Sequence, residues 1–379
     1  MSVVVVNHDY GRFVEAAIES ALGQSHPRTE VIVVDDGSID DSRDKINGYR
    51  DRVVPVFKEN GGQASAFNAG FDASRGDVVL FLDADDLLLP AAAETAALSL
   101  IAGDAVKVHW RLWQIDEAGQ RTGRRYPEQP VGAGDLREHV IRHGPNSYVS
   151  PPTSGNAWTR AYLEKVLPVP EGGDKHGADA YLSMLAPLYG PIRRTEPQSC
   201  YRVHPANFSG RSVLDRIDHD LRRYRSFCAI MRDHLGRMGR SVGRDAWTGP
   251  ESVHAWMEGV RAGTGEIAAV VPRGDTFILA DDAQWGGGAG IEGRRGLPFL
   301  ERDGAYWGPP ADSETAVSEV ERLRRGGATF LAFASPCFWW LEFYGGLRSH
   351  LYSTFECVME NERVIVFDLR AQPRAGGGV

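Results

Sequence analysis

Residues Val79-Leu80-Phe81-Leu82 run apolar without a break and end in Asp83-Ala84-Asp85-Asp86, three carboxylates within four residues, with Pro90 close behind. A buried strand that releases clustered acids at its C-terminal end is how an α/β enzyme presents a divalent cation and the phosphates it carries. Taken alone, the pattern also fits a solvated acidic turn after an ordinary strand. The preceding residues bear on the choice. Ser2 to Val6 reads as a β-branched strand, Asn7-His8-Asp9-Tyr10-Gly11 as a polar turn, and Phe13 to Leu22 as a helix with Phe13, Ala17, Ile18, Ala21 and Leu22 at helical spacing. Glu30 to Val34 is a second strand, ending in Asp35-Asp36-Gly37-Ser38. Val53 to Phe57 reads as a third strand, Gly62 to Ser74 as a third helix, and Val78 to Leu82 as a fourth strand. Repeated strand-acid-helix units predict a parallel sheet whose ligands sit beyond the carboxyl ends of its strands, where Asp9, Asp36 and Asp85 meet.

Four segments carry a family resemblance: Val-Val-Val-Asn-His-Asp-Tyr-Gly-Arg-Phe at 4 to 13, Val-Val-Asp-Asp-Gly-Ser at 33 to 38, Glu-Asn-Gly-Gly-Gln-Ala-Ser-Ala-Phe-Asn-Ala-Gly at 59 to 70, and Phe-Leu-Asp-Ala-Asp-Asp at 81 to 86. In order and spacing they resemble the successive motifs of the family 2 glycosyltransferases over the first 210 residues or so. The resemblance implies a GT-A nucleotide-diphospho-sugar transferase domain with a mixed, mostly parallel sheet. It also implies a divalent metal, Mg²⁺ or Mn²⁺, and an inverting transfer from a nucleotide sugar, with UDP the expected nucleotide. It sets His8 near the base, Asp36 on the imide of a uracil-like ring, Asp83 on the ribose hydroxyls and Asp85 on the metal. Asn7, Asp9 and Ala84 flank these positions in the donor motifs. Asn60 and Asn68 fit the family pattern, and equally fit capping or turn residues. His8 stands where the family usually has an aromatic residue, and Phe67 where it often has an arginine.

An inverting transfer needs a base on the acceptor side, because the acceptor hydroxyl loses its proton as it attacks. The candidate is Asp179 in Gly177-Ala178-Asp179-Ala180-Tyr181-Leu182, which looks like the family's acidic motif at a helix start, with Ala178 in place of the usual Glu. An acid there also suits the helix dipole, and Asp174 is the rival base. Tyr201-Arg202-Val203-His204 resembles the family's segment that closes over the diphosphate. The resemblance makes Arg202 or His204 the group that offsets charge on the leaving diphosphate, with His204 also completing the metal's coordination. The Gln-x-x-Arg-Trp motif of processive synthases is not in the sequence, so one sugar per encounter is expected.

A formal net charge of -9 argues against nucleic acid as a partner, and Cys200, Cys228, Cys337 and Cys357 have no metal-site or disulfide spacing. A strand that begins at residue 2 is read as leaving no room for a signal peptide, and no stretch reads as membrane-spanning, so a cytoplasmic protein is expected, with peripheral contact at the inner face of the membrane as a variant. Leu214, Ile217, Leu221, Tyr224, Cys228, Met231 and Leu235 alternate by three and four, which predicts one long helix with an apolar seam and Arg222, Arg223, Arg225, Arg232 and Arg237 on its other faces. It packs on its own domain, forms a homodimer seam or lies on an anionic membrane.

The expected division is a transferase domain over 1–212, the helix and a glycine-rich linker over 213–249, and a smaller C-terminal Rossmann-like α/β domain over 250–379. In that last part, Thr276 to Ala280, Thr329 to Phe333 and Arg363 to Leu369 read as strands, and Ser313 to Arg325 and Trp339 to Leu351 as helices of a doubly wound sheet. Gly288-Ala289-Gly290-Ile291-Glu292-Gly293 satisfies G-x-G-x-x-G without the strand and helix that a dinucleotide site needs around it. Trp339, Trp340, Phe343 and Tyr344 read as core, or as an aromatic face for a sugar or partner. The function expected is metal-dependent, inverting transfer of one sugar to a hydroxyl acceptor, as in polysaccharide, glycolipid or natural-product glycosylation. The alternatives are a sugar-nucleotide-binding scaffold and a nucleotidyltransferase, the second of which lacks its basic phosphate loop at Asn7 to Phe13.

Overall fold

Strand β1 (Ser2–Asn7) is apolar at every inner position because both faces of its sheet are covered. Helix α1 (Gly11–Leu22), β2 (Glu30–Asp36), the short α2 (Ser42–Asn47) and β3 (Val54–Lys58) follow. Helix α3 (Gly62–Ala73) then leads to β4 (Val78–Asp83). The computed structural model describes residues 1–101, 103–171, 177–204, 207, 213–286 and 290–370. Beyond β4 come β5 (Leu87–Leu88), α4 (Ala92–Ile101), β6 (Lys107–His109), β7 (Leu112–Ile115) and β8 (Arg121–Tyr126). Then follow α5 (Arg137–His143), β9 (Asn156–Thr159), α6 (Arg160–Val166), α7 (Ala178–Tyr189), β10 (Ile192–Arg194), β11 (Ser199–Arg202) and α8 (Val213–Arg237).

The main sheet has the order β10-β6-β9-β4-β1-β2-β3. Strands β4, β1, β2 and β3 run parallel, β9 runs antiparallel to both β4 and β6, and β10 is parallel to β6. The chain steps from β1 to β2 to β3 in one direction and then returns to place β4 on the other side of β1. That reversal opens a crevice beyond the carboxyl ends of β1 and β4, the position where open α/β sheets bind ligands. Helix α3 lies flush on β1 at Gly70, where a Cβ would stand 2.3 Å from Val4 Cγ1. A second sheet, β5-β11-β7-β8, was not foreseen; it carries Arg202 to the turn after β4.

The chain forms two compact units, one of Met1–Pro205 with Arg223–Trp247 and the other of Ala206–Arg222 with Thr248–Val379. Helix α8 therefore contributes to both. It is one continuous helix, as its spacing predicts, and Ile217, Leu221, Tyr224, Cys228, Met231 and Leu235 of its seam are all buried. Among the described residues no helix is long and apolar enough to cross a membrane.

The second unit holds α9 (Val253–Val270), β12 (Thr276–Ala280), β13 (Arg295–Pro298), the hairpin β14 (Glu301–Arg302) and β15 (Ala305–Tyr306), α10 (Ser313–Arg325) and β16 (Phe330–Ala334). Helices α11 (Phe338–Phe343) and α12 (Gly345–Thr354) and strands β17 (Glu356–Glu360) and β18 (Val364–Asp368) complete it. The order is β13-β12-β16-β18-β17, with the first three strands parallel. Strand β18 is antiparallel to β16 and β17, because a short hairpin rather than a helical crossover joins the last two strands. The sheet is thus half doubly wound. The glycine motif leads into strand β13 rather than a helix, and its Gly288 and Ala289 lie outside the described residues. Trp340 and Tyr344 are core, whereas Trp339 and Phe343 are 42% and 72% exposed.

Candidate active site

The polar ends of β1 and β2 are knitted together before any ligand enters. Asn7 is fully buried, and its amide donates to Asp35 Oδ1 at 3.1 Å and to Ser38 Oγ at 3.1 Å. Asp35 also accepts from Ser38 N and from Arg43 Nε. Asp9, in the left-handed region at φ 57°, donates its N–H to Ser38 Oγ and accepts from Ile39 N at 2.7 Å. Gly37 turns the chain at φ 76°, and a Cβ there would meet Asn60 N at 2.5 Å. Asn7, expected at the donor, is therefore a scaffold residue.

Asp36 is buried at the start of α3. It accepts from Gly61 N at 3.0 Å, Gly62 N at 2.7 Å and Lys58 Nζ at 2.6 Å. Three donors leave a carboxylate room for one more. His8 is exposed, and the Asn60 amide lies 2.9 Å from His8 Nε2. Asn68 is not at this site. Its side chain brackets the backbone of Val169, donating to the carbonyl at 3.0 Å and accepting from the N–H at 2.8 Å, so the turn-residue alternative describes it.

The turn after β4 brings ligand oxygens of Asp83, Asp85 and Asp86 within 4.8 Å of one another. Ala84 is buried in the core, and its N–H donates to Val6 O at 3.0 Å. Asp85 Oδ2 lies 3.0 Å from Nε2 of the buried His204, whose ring packs between Tyr10 and Phe13. Asp86 is 1% exposed and accepts from Arg202 N at 2.9 Å, so it fastens β11 to this turn. The Arg202 guanidinium donates to the carbonyls of Asp85, Asp116 and Glu117 and lies over the Phe13 ring. Arg202, expected on the diphosphate, is thereby a clasp for the acid turn. Burial and the neighbouring Asp85 charge hold Asp83 and Asp86 well above the usual carboxylate range. Carboxylates crowded in this way are relieved by a hard cation with oxygen ligands, so the donor set fits Mg²⁺ or Mn²⁺.

Asp179 occupies the first turn of α7, and Gly177 before it takes φ 97°. Burial raises its pKa, and its charge in turn raises that of Asp83. Gln63 makes the link. Its Oε1 accepts from Gly177 N at 2.9 Å and Ala178 N at 3.0 Å, and its Nε2 donates to Thr153 Oγ1 at 3.1 Å, next to Ser154, whose Oγ accepts from Asp83 N at 3.1 Å. Sequence reasoning missed Gln63 and Thr153: a glutamine at a helix start and a threonine after two prolines carry no motif that names their partners. The rival base, Asp174, lies outside the described residues. Phe67 stacks on Phe81 with ring centroids 4.0 Å apart, which makes that position core and leaves no charge there.

The family model for glycosyl transferase family 2 matches residues 2–159. An uncharacterized glycosyltransferase of Nostoc sp. (strain PCC 7120) is 36% identical over 212 residues, covering 55% of this chain and 66% of that protein. Glycosyltransferase GlyG of Streptococcus pneumoniae serotype 4 is 31% identical over 122 residues, covering 31% of this chain and 40% of that protein. The chain thus spans less than two thirds of the length of these curated relatives. Among solved structures, S. aureus TarS 1-349 in complex with UDP-GlcNAc shares 18% identity over 71% of this chain and 81% of its own, with a TM-score of 0.46.

Proposed function

We propose, from the premise that this chain belongs to glycosyl transferase family 2 through its residues 2–159, that it transfers one sugar from a nucleotide-sugar donor to a hydroxyl acceptor with inversion. The observation that carries the reading is the cluster of Asp83, Asp85 and Asp86 at the end of β4, with Gln63 hydrogen bonded to Thr153 and to the N–H groups at the start of α7, in whose first turn Asp179 stands. In this reading Asp85, assisted by His204, holds Mg²⁺ or Mn²⁺, which when bound polarises the diphosphate and stabilises the charge of the leaving group. Asp83 accepts from the ribose hydroxyls, and the nucleoside lies along His8, Asn60 and Asp36, whose remaining acceptor site suits an imide N–H. A UDP-sugar is accordingly the donor to test first.

Asp179 takes the proton of the acceptor hydroxyl as that oxygen bonds to the anomeric carbon and the bond from that carbon to the diphosphate oxygen breaks. Raising its pKa makes it a better proton acceptor while it remains ionised, which is the compromise a general base requires. The membrane and homodimer variants have no observation in their favour, and the acceptor's identity is left to the assay.

The test is calorimetry with UDP-, TDP- and GDP-sugars in Mn²⁺, followed by hydrolysis and transfer assays on every donor that binds. One UDP-sugar is expected to bind and release UDP, and Asp179→Asn is expected to keep that binding while losing roughly 10²- to 10⁴-fold in turnover. Full turnover in Asp179→Asn removes the base assignment. Binding without hydrolysis or transfer to any acceptor removes the enzymatic reading.

A further inference from the structure

Lys107 of β6 is completely buried. Its Nζ donates to Ser150 Oγ at 2.8 Å and to Ser183 Oγ at 3.0 Å, and it lies 4.6 Å from the centre of the Trp158 ring and 5.7 Å from that of Tyr148. The two hydroxyls bond one another at 2.9 Å. Hydroxyls and ring faces, rather than a carboxylate in contact, thus hold this ammonium. A lysine in such a place is costly to keep, since burial holds its pKa well below the usual lysine range. A methionine of similar length would fill the same space. Ser183 stands one helical turn along α7 from Asp179, and Asp179 is the group whose charge favours the protonated lysine.

Three charged groups face Asp179 from the elements around it: Asp83 at the end of β4, Arg223 of α8 and Lys107 of β6. The two cations, Arg223 and then Lys107, favour its ionisation, and its own charge raises the pKa of Asp83. Arg223 is only half-buried and so is screened by solvent, whereas Lys107 is not. Around Lys107 itself stand Asp179, the Tyr148 ring and His109, which the lysine's charge helps to keep neutral.

We propose that Lys107 is a positioning residue for Asp179: its ammonium, fixed by Ser150 and Ser183 beneath α7, is the unscreened positive charge that keeps Asp179 ionised opposite the carboxylates of the β4 turn. The proposal deepens the reading of Asp179 as the base. Its test follows the proton on Asp179 directly and so is decided apart from that reading, which stands or falls on the turnover of Asp179→Asn.

Asp179 is titrated by carbon NMR of the full chain labelled with [¹³C]aspartate, its resonance assigned by its loss in Asp179→Asn. Lys107→Met and Lys107→Gln are compared with the wild type, the second variant keeping hydrogen bonds to the serines without the charge. Both are expected to raise the Asp179 midpoint by about one unit or more. The coupling is mutual, so the Lys107 Cε midpoint in [¹³C]lysine-labelled Asp179→Asn is expected to fall by a similar amount. That third measurement decides the matter even where neither lysine variant folds. An unchanged Asp179 midpoint in a folded lysine variant, or an unchanged Lys107 midpoint in Asp179→Asn, overturns the proposal.

Discussion

His204 Nε2 stands 3.0 Å from Asp85 Oδ2, joining residues 119 apart in the chain at the centre of the acid turn. The imidazole orients the one carboxylate that the proposed reading gives to the metal. Asp85→Asn is expected to remove measurable Mn²⁺ binding, and His204→Ala to weaken it by roughly 10- to 100-fold, the usual effect of losing a partner that orients a ligand. Electron paramagnetic resonance of free Mn²⁺ in a titration of the protein alone reads both. Equal Mn²⁺ affinity in the wild type and Asp85→Asn would place the metal elsewhere.

Gln63→Ala removes acceptors from Gly177 N and Ala178 N and the donor to Thr153 in one step. The start of α7 then loses its tether to the acid turn, and Asp179 shifts relative to the donor. Misplacement on the ångström scale costs up to about 10²-fold in rate. The expected result is a kcat lower by roughly that order with the KM for the donor little changed. A loss confined to KM would show that Gln63 serves donor binding instead.

Acid sensitivity is expected to trace to His109. Its buried ring meets Gly132 O at 2.5 Å, and burial, aided by the nearby charges of Lys107 and Arg194, drives its pKa down to about 2. The unfolded chain binds this proton below pH 6.5 and the folded chain does not. The group therefore leaves stability intact above pH 6.5 and removes up to about 1.4 kcal/mol per pH unit below it. His109→Gln should flatten the fall in urea-unfolding free energy between pH 6.5 and 4.5. A fall as steep as that of the wild type would assign the acid sensitivity to other groups.

Phe67 and Phe81 are both buried and their rings lie within 3° of parallel. Phe67→Ala is expected to cost about 3–5 kcal/mol in urea unfolding by opening a cavity under the main sheet. Phe67→Arg, which restores the residue frequent in the resembling family, is expected to cost at least as much, because it buries an unpaired charge. A neutral Phe67→Arg would mean that the guanidinium reaches a carboxylate of the acid turn.

The four inner strands were legible in the sequence because each is a short apolar run followed by acids, and burial on both faces imposes that pattern. Strand β8, Arg121–Tyr126, was not, since its exposed Arg-Thr-Gly-Arg-Arg sequence carries no alternation. The split between α11 and α12 escaped for a similar reason: Tyr344 breaks the helix through its backbone angles while its side chain continues the apolar pattern. At the site, the motifs singled out polar residues but did not name their partners. Asn7, Asn68 and Arg202 each carry donors that would suit a nucleotide, and each meets protein groups brought by distant segments. Lys107 gave no signal, because a lysine beginning a three-residue strand reads as solvent-facing until the serines and Trp158 close over it.

The hydrogen bond from Arg202 N to Asp86 also has a temporal meaning, since it spans 116 residues. A chain emerging from the ribosome presents Asp86 long before strand β11 exists, so the acid turn stays solvated and unfinished until about residue 202 is released. A fragment ending at residue 159 would hold most of the recognisable motifs, yet leave that carboxyl without its amide. Such a fragment is the wrong piece to express when the aim is to measure what this turn binds.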